Sequence, residues 1–384
     1  MNLNPLFQVI RGLIGRSPSR PCNRSFDFQP YKPEKRRNTM SAILASLRHP
    51  LIQAPMAFAH DTALPLAVCR AGALGSLAAA MYGPPALEQA LQTMRDEGGG
   101  LPYNLNFFAH RTPEADEAQR AAWLAVLRPY FDELGLSEGD IPANGGRRPF
   151  DADALALLER FRPPVASFHF GLPALDLLSR VKAAGCEVWA SATTVEEALW
   201  LEANGADVVI AQGWEAGGHR GWFLNRDPAC QSGLFALLPA VCRTVNLPVV
   251  AAGGIADADA VRAALDLGAA AVQVGTAFLL ADEALTKPAH RAAIQSARPE
   301  DTAVTNLFSG GAARGIVNRF MREAGPMNES ALPFPLAGAA AGALKAEAER
   351  RGCFDFSPFW AGQGAGRCVP GSAADIVARL CARL

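Results

Sequence analysis

The sequence predicts an α/β fold: a (β/α)8 TIM barrel with a helical cap inserted after the late strands. Three features point to it. From residue 50 onward, short β-branched runs alternate with longer Ala- and Leu-rich stretches of helical period, the pattern of βα units around a parallel sheet. Eight such runs fall within about 250 residues, matching this barrel in number and span. Glycine-rich turns follow the last two runs, where barrels of this kind hold phosphate groups.

The strand candidates, in order, are Leu51–Pro55, Ala73–Leu77, Tyr103–Phe107, Val165–His169, Glu187–Ser191, Asp207–Ala211, Pro248–Ala252 and Ala271–Val274. The helices between them carry their own boundaries. Val195–Asn204 begins after Thr194, a side chain suited to an N-cap, and stops at Gly205. Asp257–Leu267 has acidic residues in its first turn and Gly268 beyond its end. Leu172–Ala184 has Pro173 near its start and Gly185 after it. A doubly wound sheet is the rival fold, but the Met-Ala-Phe-Ala after Pro55 lacks the Gly-rich turn such a sheet places after its first strand.

Two regions exceed what the units require. Residues 108–164 are long and partly charged, with a turn expected at Asn144, and residues 281–350 follow the eighth strand and read as largely helical. Insertions of this kind cap the catalytic face of a barrel. The run Ala331–Leu344 is small and apolar and reads as buried or partner-facing.

Composition narrows the function. Half the residues are hydrophobic and the net charge is −1, enough for a full core and no basis for a polyanionic partner such as nucleic acid. No apolar run is long enough for a membrane helix. The eight cysteines are scattered, without the Cys-x-x-Cys spacing of a zinc or redox site. They read as reduced thiols of a cytoplasmic protein, with no metal site. Residues 1–40 differ in character: eight Lys or Arg residues stand against Asp27 and Glu34. This segment reads as a disordered basic extension, faintly like a transit peptide, or as a sign that translation begins at Met40.

The chemistry is sought at the C-terminal ends of the strands, where barrel enzymes keep their active sites. After the seventh strand come Gly253 and Gly254; the eighth ends in Gln273-Val274-Gly275-Thr276. Glycines let backbone N–H groups approach phosphate oxygens, though glycines of this kind also make plain tight turns. After the sixth strand, Gln212 to Gly221 mixes glycines with Gln, Glu, His and Arg. Such a loop can wrap a planar polar ring or simply be a surface loop. Glu215 and Arg220 within it read as a structural ion pair or as loop-fixing charges rather than a catalytic pair. His169 ends the fourth strand, placed to exchange a proton with a small substrate, although a lone histidine in an apolar strand is more commonly a core residue.

The runs QAPMA (Gln53–Ala57), NLNFF (Asn104–Phe108), SFHFG (Ser167–Gly171), QGWEAGGHRG (Gln212–Gly221), AAGGI (Ala251–Ile255), QVGTAF (Gln273–Phe278) and WAGQGAG (Trp360–Gly366) together resemble the nitronate monooxygenases, formerly 2-nitropropane dioxygenases. The resemblance runs from about residue 48 to the C-terminus. It implies noncovalently bound FMN and oxidation of small alkyl nitronates by O2 to a carbonyl compound and nitrite. By position it implies flavin contacts at Ala54, Pro55, Met56, Asn106, Gln212, Gly217 and Gly218. It places phosphate and ribityl contacts at Gly253, Gly254, Gln273, Val274, Gly275 and Thr276, and a late contact from the returning tail at Gln363 and Gly364. His169 matches the catalytic histidine. Met56, Phe168, Phe170 and Trp360 are expected to wall a small alkyl pocket. Gly311 stands where the family often has a basic residue, a departure that bears on substrate preference; Arg314 is present. The expected state is monomer or homodimer. The alternatives are a flavin-dependent NAD(P)H enoyl-ACP reductase, which shares the Gly-rich loops, a non-catalytic flavin-binding protein, and a flavin-free phosphate-binding barrel isomerase or lyase.

Overall fold

The computed structural model describes residues 41–384 except 58, 60 and 143–146. The basic extension, the start at Met40, Cys22 and the Asn144 turn lie outside the described residues. The eight barrel strands are β1 (Leu51–Gln53), β2 (Gly75–Ala78), β3 (Tyr103–Phe108), β4 (Val165–His169), β5 (Glu187–Ala192), β6 (Val208–Gln212), β7 (Val249–Ala252) and β8 (Ala271–Val274). All neighbours pair in parallel, β1 beside β8, and a parallel bridge between Ile52 and Leu74 closes the seam. The fold is a TIM barrel.

Each strand is buried on both sides, as a parallel sheet sheathed by helices requires. Alternate residues point into the barrel. Ile52, Leu74, Val165, Trp189, Val208, Ile210, Val250 and Ala271 fill its floor together with Leu44. Leu44 belongs to a short helix, Ala42–Ser46, that stoppers the barrel from below. The stopper is tied down by Glu187, which accepts hydrogen bonds from Ser41 Oγ (2.5 Å), the Ile43 amide (3.1 Å) and Trp189 Nε1 (3.0 Å). The other set of alternate residues faces the helices and forms the main core.

The helix boundaries follow local chemistry. Thr194 Oγ1 accepts the Glu197 amide at the start of Val195–Ala203, and Asp257 accepts the Ala260 amide at the start of Ala258–Asp266. Each cap satisfies an amide that a helix end otherwise leaves open.

Above the strand ends lies a second core. Trp123, Leu127, Tyr130 and Phe131 of the helix Glu117–Leu134 pack against Phe320, Leu332, Ala340, Leu344 and Phe356. The two insertions, more than 110 residues apart in sequence, thus form one cap. The late insertion is not wholly helical. Its strands Thr302–Thr305 and Ala313–Ile316 pair antiparallel, and the second also pairs with Gly218–His219 from the loop after β6. The Thr302–Thr305 run alternates β-branched residues with Ala303, a strand pattern inside a segment otherwise read as helix. The small apolar run from Ala331 is buried in this core.

Candidate active site

A cavity of about 320 Å³ opens between the strand ends and the cap, within the size range of small-molecule sites. It is bordered on the barrel side by Ala54, Pro55 and Met56 after β1, Asn106 in β3, His169 at the end of β4 and Gln212 at the end of β6. Gly217, Gly218, Gly253, Gly254, Gln273, Val274, Gly275 and Thr276 complete that wall. The C-terminal tail returns to it through Gly362 and Gly364. The tail is fixed by the Gly362 amide on Thr276 Oγ1 (3.0 Å), the Gln363 amide on the Glu215 carbonyl (3.0 Å) and Arg367 on the Gly254 carbonyl (3.0 Å). Gly364 must be glycine here, because a Cβ would stand 2.9 Å from the Gly254 carbonyl oxygen.

Strand alternation decides which side chains reach the cavity. In β4, Ser167 and His169 face inward, and Ser167 Oγ accepts from Asn106 Nδ2 at 2.9 Å. Phe168 between them faces outward. It does not wall the pocket: its ring is fully buried against Phe107 (6.0 Å) and Phe150 (5.3 Å) in the helix-facing core. Consecutive strand residues cannot share a face. Phe170 also stands off the cavity wall. It takes a left-handed backbone (φ 71°), strained for a bulky residue, and packs on His169 (4.7 Å), Phe334 (5.0 Å) and Phe108 (5.2 Å). Gln363 does not border the cavity; its amide donates to the Glu215 carbonyl (3.0 Å). Met56 and Trp360 do border the cavity.

His169 is held from both sides. Nε2 lies 3.0 Å from the His219 carbonyl and Nδ1 3.0 Å from Ser191 Oγ. A carbonyl only accepts, so Nε2 carries the proton and Nδ1 accepts from the serine hydroxyl. Burial, reinforced by the nearby Arg220 charge, pushes the imidazole down to about 4 against a partial restoring effect of its hydrogen bond to the His219 backbone. It is therefore neutral at pH 7. Gly221 makes room for it, since a Cβ there would sit 2.8 Å from His169 Cε1. His219 is held well below its ordinary value by burial and by the Arg147 charge, with Nε2 2.8 Å from Ser309 Oγ.

The charges of the loop after β6 fix its shape. Glu215 accepts the Leu234 amide (2.8 Å), holding the start of the helix Leu234–Thr244. Arg220 is fully buried and donates to the carbonyls of Gly213 (2.5 Å) and Gln212 (2.8 Å) and to Gln231 (2.9 Å). Gln212 donates to the His219 carbonyl (2.9 Å) and accepts from the Gly221 amide (2.8 Å). On the cap sheet, Arg314 donates to the Trp214 carbonyl (3.0 Å). At Gly311, a Cβ would meet Phe334 at 3.0 Å and His219 at 3.3 Å. The missing side chain leaves its space to the Phe334 ring.

Sequence reasoning missed several residues on the cavity wall. Ser191 could have been found, because its strand position parallels that of His169. Phe108 ends β3 beside His169 and is a strand-end position as well. Arg147, Lys345, Glu349 and His290 lie outside the barrel strands and carry no strand-end signal.

Fold and site together define a TIM-barrel enzyme that handles a small molecule in a glycine-lined cavity at its strand ends. The sequence model of the nitronate monooxygenases matches residues 38–383, and the chain belongs to that family of oxidoreductases. A nitronate monooxygenase of Pseudomonas aeruginosa is 42% identical over 327 residues, 84% of this chain and 92% of that protein. Among solved structures, a nitroalkane oxidase of Streptomyces ansochromogenes superposes with a TM-score of 0.81 at 36% identity, covering 90% of this chain and 98% of that one. FabK of Thermotoga maritima superposes with a TM-score of 0.66 at 27% identity, covering 88% and 93%. No helix among the described residues is long and apolar enough to cross a membrane.

Proposed function

We propose that the protein oxidises small alkyl nitronates with O2, using bound FMN, to a carbonyl compound and nitrite. The observation that carries this reading is the convergence of one neutral, doubly held histidine with the glycine-lined wall in a single cavity. The wall suits FMN. Gln273 Oε1 is buried without a hydrogen-bond partner among the described residues, and so is Thr286 Oγ1 on the same cavity. Buried polar atoms of this kind call for a ligand or water. The tail glycine Gly364 comes close enough to the Gly254 loop that a Cβ there would meet its carbonyl oxygen at 2.9 Å.

In this reading Gln212, Gln273, Asn106 and the loops at Gly217 and Gly254 hold the flavin, and Gly275, Thr276 and Gly364 hold its phosphate. The first turn of the helix Ala258–Asp266 is capped by Asp257, whose carboxylate also pairs with Arg367 (2.7 Å). The phosphate therefore relies on loop amides rather than on that helix end. When bound, flavin supplies the redox chemistry. The chain supplies placement: Ser191 and the His219 carbonyl fix the His169 ring, and Met56 and Trp360 bound the space around a small alkyl group. A neutral imidazole of low basicity favours the preformed nitronate over proton removal from a neutral nitroalkane.

The test is to mix the purified protein anaerobically with a small alkyl nitronate while recording the visible spectrum. Rapid bleaching of a bound yellow flavin, slowed strongly by His169→Ala, is the expected result. The likeness to FabK favours a second reading, NAD(P)H-dependent reduction. A yellow protein indifferent to nitronate but bleached by NADH or NADPH would establish that reading instead. A protein that stays colourless after incubation with FMN would sink both.

A further inference from the structure

We propose that Arg147 binds the anionic oxygens of the substrate and thereby selects the nitronate anion over the neutral nitroalkane. This inference rests on the nitronate reading.

Arg147 comes from the insertion between β3 and β4 and borders the same cavity as His169 and His219. Its guanidinium carbon lies 6.0 Å from the Phe334 ring centroid. That ring stands over the catalytic end of the cavity, 5.2 Å from His219 and 6.0 Å from Phe108. Arg147 Nε is buried and has no hydrogen-bond partner among the described residues. No carboxylate among them lies within ion-pair distance of it. Burial alone pulls the guanidinium down, to about 10, so it stays cationic at neutral pH.

A half-buried cation whose Nε is buried without a partner is costly unless one is supplied. The neighbouring carboxylate on the cavity wall, Glu349, is already engaged by Lys287 (2.6 Å) and Ser357 (2.8 Å). The histidines around the site are neutral, so the positive charge on this side comes from Arg147 together with Lys345 on the same cavity, and of the two only Arg147 carries a planar fork of donors. Its planar fork of donors matches an anion whose charge is spread over two coplanar oxygens, and a nitronate is such an anion. A neutral nitroalkane presents the same two oxygens without the net charge, and gains less from the contact.

The experiment uses the FMN-loaded protein and two readouts. The first is calorimetric titration with nitrite, an unreactive planar anion with two terminal oxygens. The second is steady-state turnover of a small alkyl nitronate and of its neutral nitroalkane. Hydrogen bonds to charged groups set the expected scale. Arg147→Met and Arg147→Gln should weaken nitrite binding and raise the nitronate KM by about tenfold to a hundredfold. They should change kcat less, and kcat/KM for the nitroalkane least. Arg147→Lys, which keeps the charge but not the fork, should fall between. Should Arg147→Met lose its flavin, the Arg147→Lys comparison alone decides. Unchanged nitrite affinity and unchanged KM in the variants would overturn the inference, as would wild-type protein that binds no nitrite. If wild type ignores nitronate yet Arg147→Met still loses nitrite binding, the anion site stands and the nitronate reading falls.

Discussion

The cavity has two walls of different origin. The barrel wall is made of strand ends and of glycines whose backbone shapes the surface: Gly253, Gly254, Gly275 and Gly364. The cap wall is made of long side chains, Arg147, His290, Lys345 and Trp360, of which Lys345 and Trp360 come from segments packed in the second core. Backbone on a closed eight-stranded sheet leaves little freedom, which suits a cofactor that must always sit in one place. Side chains from a cap can vary without disturbing the sheet, which suits the choice of substrate. On the proposed reading, the contrast gives cofactor retention to one wall and substrate selection to the other.

The sharpest test of that division is Gly364→Val. Its Cβ would meet the Gly254 carbonyl oxygen, backbone that cannot swing aside. The variant should fold, by circular dichroism, but lose its flavin colour altogether. A yellow Gly364→Val protein would break the comparison at the barrel wall.

Next in size is a pair of core truncations. Trp123→Ala in the cap and Phe168→Ala in the barrel should each cost about 3–5 kcal/mol in urea unfolding, since both rings are buried. Their functional effects should separate. Trp123→Ala should raise the nitronate KM while the folded protein keeps flavin. Phe168→Ala should leave KM unchanged, because that ring faces the helices and not the substrate. Equal loss of flavin in both would erase the distinction between the walls.

Acid should then loosen the meeting place of the two walls. Burial holds His110, His169 and His290 at about 4, below the ordinary 6.5, and pushes His219 well below 6.5 as well. The unfolded chain thus binds more protons than the folded one between about pH 4 and 6.5. Stability should be full above that window and fall as pH drops through it, by roughly 2 kcal/mol at pH 5 for each of His110, His169 and His290. Chemical denaturation at pH 7.5 and pH 5 measures it; a flat profile would mean these rings are protonated in the fold.

The smallest expected effect concerns Ser191. Ser191→Ala removes the hydroxyl that donates to His169 Nδ1, a contact worth about 1 kcal/mol. Because that hydrogen bond favours the neutral ring, its loss should move the acidic limb of the kcat/KM profile to higher pH. Flavin content should not change.

The barrel wall was legible in the sequence because its determinants are local. Continuous apolar, β-branched runs, cap residues such as Thr194 and Asp257, and glycines after β7 and β8 each act within a few residues of where they stand. Even the error at Phe168 was local: its neighbour His169 points inward, so strand alternation sends Phe168 out. The charges of the loop after β6 were read as loop-fixing, and Glu215 and Arg220 serve amides and carbonyls of the loop and its flanks. The cap was legible only as extra length, and its partly stranded character passed for helix.

What the sequence by itself determined is the βα rhythm, the strand ends and the histidine and glycines placed there, because hydrophobic period and backbone preference are written residue by residue. Tertiary structure alone decided that two distant insertions share one core, that Phe334 occupies the space beside Gly311, and that Arg147 reaches a cavity built by other segments. Those outcomes depend on side-chain packing between parts of the chain far apart in sequence, where no local period or spacing carries the contact.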